Sequence, residues 1–237
     1  MIAAFVRGRR HRPAAPSPFP PPHVWTAVAL CLAAVQALAQ ETELPRPARP
    51  GFYALGLVTL DQTNRTVRFP AAINQRAGLV EYALVTTRGK VHESIFRTEA
   101  RPHDIHLAML LLGSKPANTN LLPEDPSVPL PGERIEVEVC WKRGRREVRR
   151  PLANLIKLAH PMRNVAERGW RYTGSFVSDG AFAAQRAGSI IALITDPVAL
   201  VNNAASDRAD DEVHQANTRA LPSDGTPVEI LFRLRPR

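Results

Sequence analysis

The sequence predicts an α+β fold: a single, mainly antiparallel β domain with one buried helix and short additional helical turns. Two observations support this prediction. Short runs with apolar residues at alternate positions recur along the chain between turns, which is typical of antiparallel strands. One longer segment, residues 102–113, has the start and stop signals of a helix and an apolar interior. The sequence contains no internal repeat, so these elements are assigned to one domain.

The first 39 residues are predicted to be a secretory signal peptide and not part of the fold. Residues 1–12 carry four arginines and no acidic residue, and residues 24–39 are mainly apolar. The tripeptide Ala37–Ala39 has the A-x-A pattern of a cleavage site, so the mature chain is expected to begin at Gln40. The alternative is an uncleaved membrane anchor, although the apolar run is shorter than the ~20 residues of a spanning helix. The protein is therefore expected in the periplasm or cell envelope, touching a membrane only through this segment if it is uncleaved.

Residues 40–50 are predicted to be a proline-rich linker, and residues 51–237 to be the folded domain. Cleavage removes four arginines and no acidic residue, so the formal net charge falls from +9 to +5. The remaining excess is concentrated in "KRGRREVRR", residues 142–150, at a glycine turn between two strand-like runs. No aromatic residues interleave these cations, so the segment is predicted to be a solvated hairpin tip, with contact to phosphates or anionic lipid as the alternative. No nucleic-acid partner is expected.

The strands are predicted from alternating apolar runs on both sides of the helix. Before the helix they are residues 52–61, 65–73 and 78–96, the last of these being two strands joined at residues 88–90. After the helix they are the two arms around residues 142–146, followed by residues 169–177, 181–185, 188–195 and 227–235.

The helix is predicted from its ends. Pro102 suits the first helical position, Asp104 complements the positive end of the helix dipole, and Gly113 is a natural stop. Residues 107–112 leave no polar face, so the helix is expected to be covered on more than one side and to be the central core element.

Two polar segments are predicted to be loops. Residues 114–133 contain five prolines and no periodic pattern, so they form a surface loop that either folds over a site or does not. Residues 206–214, "SDRADDEVH", hold four acids and a histidine but lack the glycine and the alternating oxygen ligands of a calcium loop. This second segment is predicted to be solvated.

A cluster of histidines and carboxylates precedes and enters the helix. The candidate polar cluster comprises Glu81, His92, Glu93, Ser94 and His106. Histidine and carboxylate side chains are ligands for zinc and other divalent metals, and a His-Glu pair also serves in acid-base catalysis. The metal candidates are His92, His103 and His106, of which the last two share a side of the helix because they are three residues apart.

A structural role for this cluster stays open beside binding and catalysis. Glu93 lies between Val91 and Ile95 on its predicted strand face, so a carboxylate buried there requires a partner. His106 is the expected partner, at the contact between strand and helix. Ser94 beside Glu93 invites comparison with hydrolases, but the sequence has no G-x-S-x-G motif.

Cysteine usage limits the cofactors. Of the two cysteines, Cys31 lies in the predicted signal peptide, and Cys140 alone remains after cleavage. One thiolate cannot hold an iron–sulfur cluster or a cysteine-rich zinc site. There is also no phosphate-binding glycine loop and no dinucleotide fingerprint. We therefore expect no cofactor, while a divalent metal on histidine and carboxylate ligands stays open.

Two long segments resemble the YdjY-like domain of bacterial envelope proteins. They are "GLVEYALVTTRGKVHESIFRTEARPHDIHLAMLLLG", residues 78–113, and "GWRYTGSFVSDGAFAAQRAGSIIALITDPVALVNN", residues 169–203. The resemblance covers residues 51–235, and the candidate polar cluster falls on its motifs, whereas His103 need not. It implies an envelope protein but no settled activity. Some members are labelled ferredoxin-like iron–sulfur proteins, a role for which this chain lacks the thiolates.

The function predicted from these observations is that of an exported envelope domain, a non-catalytic module that binds an envelope protein or a small ligand. The alternative is a metal-dependent or His/Glu-dependent enzyme centred on His92, Glu93 and His106.

We predict that the exported chain is cleaved before Gln40, because arginines, an apolar run and an A-x-A site follow one another in the order of a signal peptide. Amino-terminal sequencing of the protein from the cell envelope measures this directly. A chain that still begins with Met1 there would contradict the prediction.

Overall fold

The computed structural model describes residues 45–159 and 169–235. The predicted signal peptide and the first part of the predicted linker lie outside the described residues. Within those two ranges the protein is mostly β, and Pro102–Leu111 is the only helix of seven or more residues. The predicted α+β class is therefore wrong. No helix of these ranges has the length and apolarity needed to cross a membrane.

The described residues form sixteen strands, numbered in chain order. They are β1 (Arg46–Arg49), β2 (Phe52–Leu55), β3 (Val58–Asp61), β4 (Thr66–Ile73), β5 (Tyr82–Thr86), β6 (Ser94–Thr98), β7 (Glu133–Arg143), β8 (Arg146–Pro151), β9 (Ile156–Leu158), β10 (Trp170–Tyr172), β11 (Val177–Ser178), β12 (Ala181–Phe182), β13 (Ser189–Ala192), β14 (Val201–Asn203), β15 (His214–Ala216) and β16 (Pro227–Leu234). The same ranges contain the helices α1 (Pro102–Leu111) and α2 (Ala183–Ala187). They also contain 3₁₀ turns at Val91–Glu93, Leu152–Leu155 and Ser206–Ala209.

Eight strands form a closed sheet in the order β4-β16-β7-β10-β14-β13-β5-β6, and the pairing of β6 with β4 completes the circle. The pairings β5-β6 and β13-β14 are parallel, and the others in the circle are antiparallel. Strand β4 pairs with β16 along one edge, and with β3 and β6 at opposite ends of the other edge. A small closed sheet must fill its interior with its own side chains.

Those interior side chains form the main core and replace the predicted central helix in that role. Phe69 of β4 and Phe232 of β16 are both fully buried and meet edge to face, with their ring centroids 5.4 Å apart. Along β7 the alternation is as predicted, because Ile135, Val137 and Val139 belong to this core. The core is therefore built mainly by strands.

The predicted helix is present as α1, but only one stripe of it is buried. Ile105, Ala108 and Met109 are fully buried in the core, whereas Leu110 and Leu111 are 39% and 44% exposed. The expectation that the helix is covered on more than one side is wrong. An apolar sequence all around a helix does not by itself show how many neighbours cover it.

The two strands predicted within residues 78–96 are present as β5 and β6, but they run parallel. After β5 the chain returns through residues 87–93, including the 3₁₀ turn Val91–Glu93, and then starts β6 in the same direction. His92 and Glu93 therefore lie in a turn and not in the strand that the sequence predicts.

Strand structure begins within the predicted linker. Strand β1 pairs with β2 in an antiparallel ladder, although all four of its residues are exposed. Strands β1, β2 and β3 form a meander beyond the closed sheet, attached through β3 to β4, and β8 extends β7 in the same way.

The predicted surface loop, residues 114–133, is fixed by a buried arginine from the segment predicted to be solvated. Arg208 is 2% exposed and donates hydrogen bonds to the carbonyl oxygens of Pro126 (2.9 Å), Asp125 (2.7 Å) and Val128 (2.8 Å). The planar guanidinium fork can reach three acceptors at once. The loop is thus tied to the 3₁₀ turn Ser206–Ala209.

We predict that Arg208→Lys lowers the free energy of unfolding by about 2–4 kcal/mol, because Nη1 and Nη2 bond to different carbonyl oxygens and a single Lys Nζ cannot occupy both positions. Urea unfolding monitored by circular dichroism provides the measurement. The matched control is Arg97→Lys at an exposed position, which should change the free energy by less than about 0.5 kcal/mol. Equal effects of the two substitutions would contradict a role for Arg208 in fixing the loop.

Candidate functional site

His103 and His106 of α1 line one cleft of about 790 Å³, which we call the histidine cleft. The prediction that these two residues share a side of the helix is confirmed. The other lining residues have amide, hydroxyl or apolar side chains or are glycines. They are Asn118, Asn120, Gly174, Ser175, Phe176, Val177, Ser178, Gly180 and Phe182. Among the described residues that line the cleft there is no Asp, Glu, Lys or Arg.

His106 is held by Tyr172 of β10. Its Nδ1 lies 2.7 Å from the hydroxyl oxygen of Tyr172, and that hydroxyl lies 3.3 Å from the carbonyl oxygen of His106. Burial, with a smaller contribution from the charge of His103, lowers the pKa of His106 to about 4, so the imidazole is neutral near pH 7. Because Tyr172 is bonded to Nδ1, Nε2 is the ring nitrogen left for a ligand.

Tyr172 contributes rigidity to this arrangement. Its side chain is fully buried, and burial raises its pKa against a smaller opposing effect of a hydrogen bond with Ser114. The phenol therefore stays protonated and acts as a hydrogen-bonding group. The imidazole of His106 also packs on Phe182, with ring centroids 4.9 Å apart.

His103 is positioned by the segment around α2. Its backbone amide donates a hydrogen bond of 3.2 Å to Oε1 of Gln185, and its ring meets the ring of Phe182 edge to face at 6.1 Å between centroids. Nδ1 of His103 is buried, lies 3.7 Å from Oδ1 of Asp104 and has no hydrogen-bond partner among the described residues. Residues 181–185 are predicted to be a strand, but α2 begins at Ala183, and this turn of the chain brings Phe182 and Gln185 to the histidines.

The long loop forms another side of the cleft. The backbone amides of Ala117 and Asn118 both donate to the carbonyl oxygen of Thr173, at 3.0 and 3.1 Å. Gly174 has a φ of +84°, and a Cβ atom there would lie 2.2 Å from the Cβ of Pro116. Only glycine permits this close approach, so the sequence fixes the loop against the end of β10. The loop therefore borders the histidine cleft through Asn118 and Asn120.

The carboxylates of the candidate polar cluster are held by a residue that the prediction omitted, Lys90. Its Nζ lies 3.1 Å from Oε1 of Glu93 and 3.8 Å from Oε2 of Glu81. Burial opposes the charged ammonium, but the hydrogen bond to Glu93 and the interaction with Tyr82 outweigh it and raise the pKa of Lys90. His92 lies 3.8 Å from Glu93, but its side chain is 78% exposed. Glu81 and Glu93 lie on either side of Lys90 in the sequence. This arrangement indicates the ion pairs only when the turn that precedes β6 is known.

Ser94 is buried, and its hydroxyl donates a hydrogen bond of 2.7 Å to the carbonyl oxygen of Lys90. The hydroxyl therefore closes the turn that precedes β6. This arrangement gives Ser94 a structural role at the base of the Lys90 ion pairs.

The structure separates the predicted partners His106 and Glu93. His106 bonds to Tyr172 and packs on Phe182, whereas Glu93 pairs with Lys90. The predicted pairing is therefore corrected, because the return of the chain before β6 directs Glu93 to its own turn and not to the helix. Glu81, His92 and Glu93 do come together, while His106 belongs to the histidine cleft with His103.

A buried polar pair was missed by the sequence analysis. Nε2 of His214 lies 3.1 Å from Oδ1 of Asp207, which also accepts a hydrogen bond of 2.5 Å from the Asn203 amide. His214 is fully buried, so the prediction that residues 206–214 are solvated is wrong for these side chains. His214 begins the short strand β15, which pairs with β9, and the sequence analysis predicted neither of these strands.

No group of three or more His, Cys, Asp or Glu side chains suited to holding a metal occurs in residues 45–159 and 169–235. The three metal candidates are divided between two places, with His103 and His106 in the cleft and His92 exposed beside Glu93. Two imidazoles alone fall short of the ligands that a structural zinc site requires.

Comparison with protein-family models matches residues 58–233 to the YdjY domain. A comparison with curated proteins found no match, and a comparison with solved structures found none.

We predict that, because His106 is buried in its neutral form, the free energy of unfolding decreases as the pH is lowered. The unfolded chain takes up a proton near the ordinary pKa of 6.5, whereas the folded protein takes it up only near 4. Stability from this group is thus present above pH 6.5 and is lost as the pH falls towards 4, by up to about 3 kcal/mol. Urea unfolding of the wild type and of His106→Asn, at neutral and at acidic pH, measures the difference.

The exposed His92 provides the control. His92→Asn should keep the pH dependence of the wild type, whereas His106→Asn should flatten it between pH 6.5 and 4. Unchanged pH dependence in His106→Asn would show that the imidazole is not kept neutral by burial.

Proposed function

We propose, from the premise that this chain belongs to the YdjY domain family, that it is an exported binding module whose histidine cleft holds a small, uncharged polar ligand. The observation that carries the proposal is the chemistry of the cleft. Amide, hydroxyl and imidazole groups line it together with Phe182, and none of its described lining residues carries a permanent charge. A charged ligand would leave its hydration shell there without a countercharge.

A carbohydrate fits this lining best. The ring of Phe182, already in contact with both imidazoles, offers an apolar surface to the apolar face of a sugar. Asn118, Asn120 and Ser175 supply donors and acceptors for hydroxyl groups. Nε2 of His106 adds one more polar contact. A volume of about 790 Å³ lies in the range of small-molecule sites and accommodates a disaccharide.

Export is part of the proposal and rests on the amino-terminal sequence. The arginine-rich start, the apolar run 24–39 and the A-x-A site support it. A binding module in the cell envelope would meet neutral glycans at that location.

The enzyme alternative receives less support from the geometry. It requires His92, Glu93 and His106 to act at one place, but Glu93 is paired with Lys90 and His106 with Tyr172. Proton transfer by His106 would also have no carboxylate to orient the ring, because a tyrosine hydroxyl occupies Nδ1.

We predict that neutral disaccharides bind in the cleft. Titration of the full chain with cellobiose and with chitobiose, followed by the NMR resonances of the histidine rings, should give saturable shifts for His103 and His106. Phe182→Ala and Asn120→Ala should each weaken binding by about tenfold, since each removes one side of the contact.

The matched controls are Phe52→Ala and glucuronic acid. Phe52 lies in a different groove, where Arg49 covers its ring, so its substitution should leave the affinity unchanged. Glucuronic acid carries a carboxylate and should bind more weakly than the neutral sugars. Absence of saturable shifts with every neutral sugar, or equal losses in Phe52→Ala and Phe182→Ala, would refute the proposed ligand class.

A further inference from the structure

The two faces of the β7-β8 hairpin differ in charge. Residues directly opposite each other in an antiparallel ladder project to the same face. Cys140 lies opposite Arg149, and Trp141 lies opposite Val148, so these two pairs mark opposite faces. Trp141 projects to the same face of β7 as the core residues Ile135, Val137 and Val139, and it packs against the edge of the core.

On the Cys140 face the charges are balanced. Arg149 lies 3.7 Å from Glu138 and 3.5 Å from Glu147, and Arg233 of the neighbouring β16 lies 3.8 Å from Glu138. On this face, the charges of the arginines and the glutamates therefore offset one another.

Among the described residues that form the β7-β8 ladder, 138–143 and 146–151, no Asp or Glu projects to the Trp141 face. Arg143 and Arg150 project to this face, are exposed and line a groove of about 700 Å³. The arginines of this arginine groove are Arg76, Arg143, Arg150 and Arg219; Lys142 also lines it, but projects to the Cys140 face opposite Glu147. Its described lining residues include no Asp or Glu, and its apolar floor is formed by Trp141, Val148 and Leu155.

Hydrogen bonds connect the two other chain segments that contribute arginines to the groove. Arg76 donates a hydrogen bond of 3.0 Å from Nη2 to the carbonyl oxygen of Thr218, and the Thr218 hydroxyl donates one of 2.7 Å to the carbonyl oxygen of Arg76. This reciprocal pair joins the segment that carries Arg76 to the segment that carries Arg219. Nε of Arg76 is buried and has no hydrogen-bond partner among the described residues.

We propose that the arginine groove binds phosphate groups, carried either by an anionic lipid headgroup or by a free polyphosphate. Guanidinium groups bind phosphate oxygens through paired, charge-assisted hydrogen bonds. Four arginines from three chain segments line one concave surface, and no Asp or Glu is among its described lining residues. The predicted solvated tip at residues 142–150 thus has one face suited to a ligand. This site is separate from the histidine cleft and does not depend on the function proposed for that cleft.

The test is a titration of the full chain with tripolyphosphate, followed by calorimetry at low ionic strength. We expect saturable binding that weakens as sodium chloride is added. The double substitution Arg143→Gln with Arg150→Gln should weaken binding by about tenfold or more. The control Arg88→Gln with Arg97→Gln removes the same charge at exposed positions outside the groove and should leave the affinity within about twofold.

Sedimentation with vesicles distinguishes the source of the phosphate. Binding to phosphatidylcholine vesicles that contain phosphatidylglycerol, but not to pure phosphatidylcholine, together with loss in the groove variant, assigns the groove to a lipid headgroup. Saturable tripolyphosphate binding without vesicle binding assigns it to a free phosphate compound. No saturable binding to either probe, or an equal loss in the control variant, would overturn the proposal. Unchanged thermal unfolding of both variants excludes misfolding as the cause of any loss.

Discussion

Strand β4 pairs with β16 through seven residues and with β6 through Ala72 and Ile73, and the second of these pairings closes the sheet. The contact is reinforced where β4 contains a proline, because the hydroxyl of Thr98 donates a 2.5 Å hydrogen bond to the carbonyl oxygen of Pro70. Closure leaves the strands of the circle with neighbours on both sides, so their backbone groups are paired. It also fixes the direction in which the chain leaves β6, three residues before α1 begins.

The histidine cleft depends on that closure. Tyr172 holds His106 from β10, a strand between β7 and β14 in the closed order. Phe182 and Gln185 reach the histidines from the segment between β10 and β13, and the proline-containing loop reaches the cleft from the carboxyl end of α1. The buried Arg208 then ties the far part of the loop to the 3₁₀ turn that precedes β15.

The histidine cleft and the arginine groove differ in charge. The histidine cleft is lined by neutral groups, and burial keeps the imidazole of His106 uncharged near pH 7. The arginine groove is lined by cations that the described acids do not neutralise. Strand alternation produces this contrast in the β7-β8 hairpin, because it sends Glu138 and Glu147 to one face and Arg143 and Arg150 to the other. The excess positive charge of the hairpin is therefore concentrated on its Trp141 face.

The sequence by itself determined features that depend on neighbouring residues. Pro102 and Gly113 bracket the helix observed as α1, alternation in β7 places Ile135, Val137 and Val139 in the core, and the spacing of His103 and His106 puts both on one side of the helix. Local motifs also sufficed to identify the family.

Tertiary structure decided everything that depends on which distant segments meet. Alternating runs look the same whether their strands pair in parallel or antiparallel ladders, so the parallel pairing of β5 with β6 and the closure through β4 could not be predicted from periodicity. That pairing placed Glu93 in a turn beside Lys90 and left His106 to Tyr172, 66 residues further along the chain. Burial of Asp207, Arg208 and His214 likewise followed from the loop and strand that cover them, because a run of charged residues becomes buried only when the fold supplies a partner for each charge.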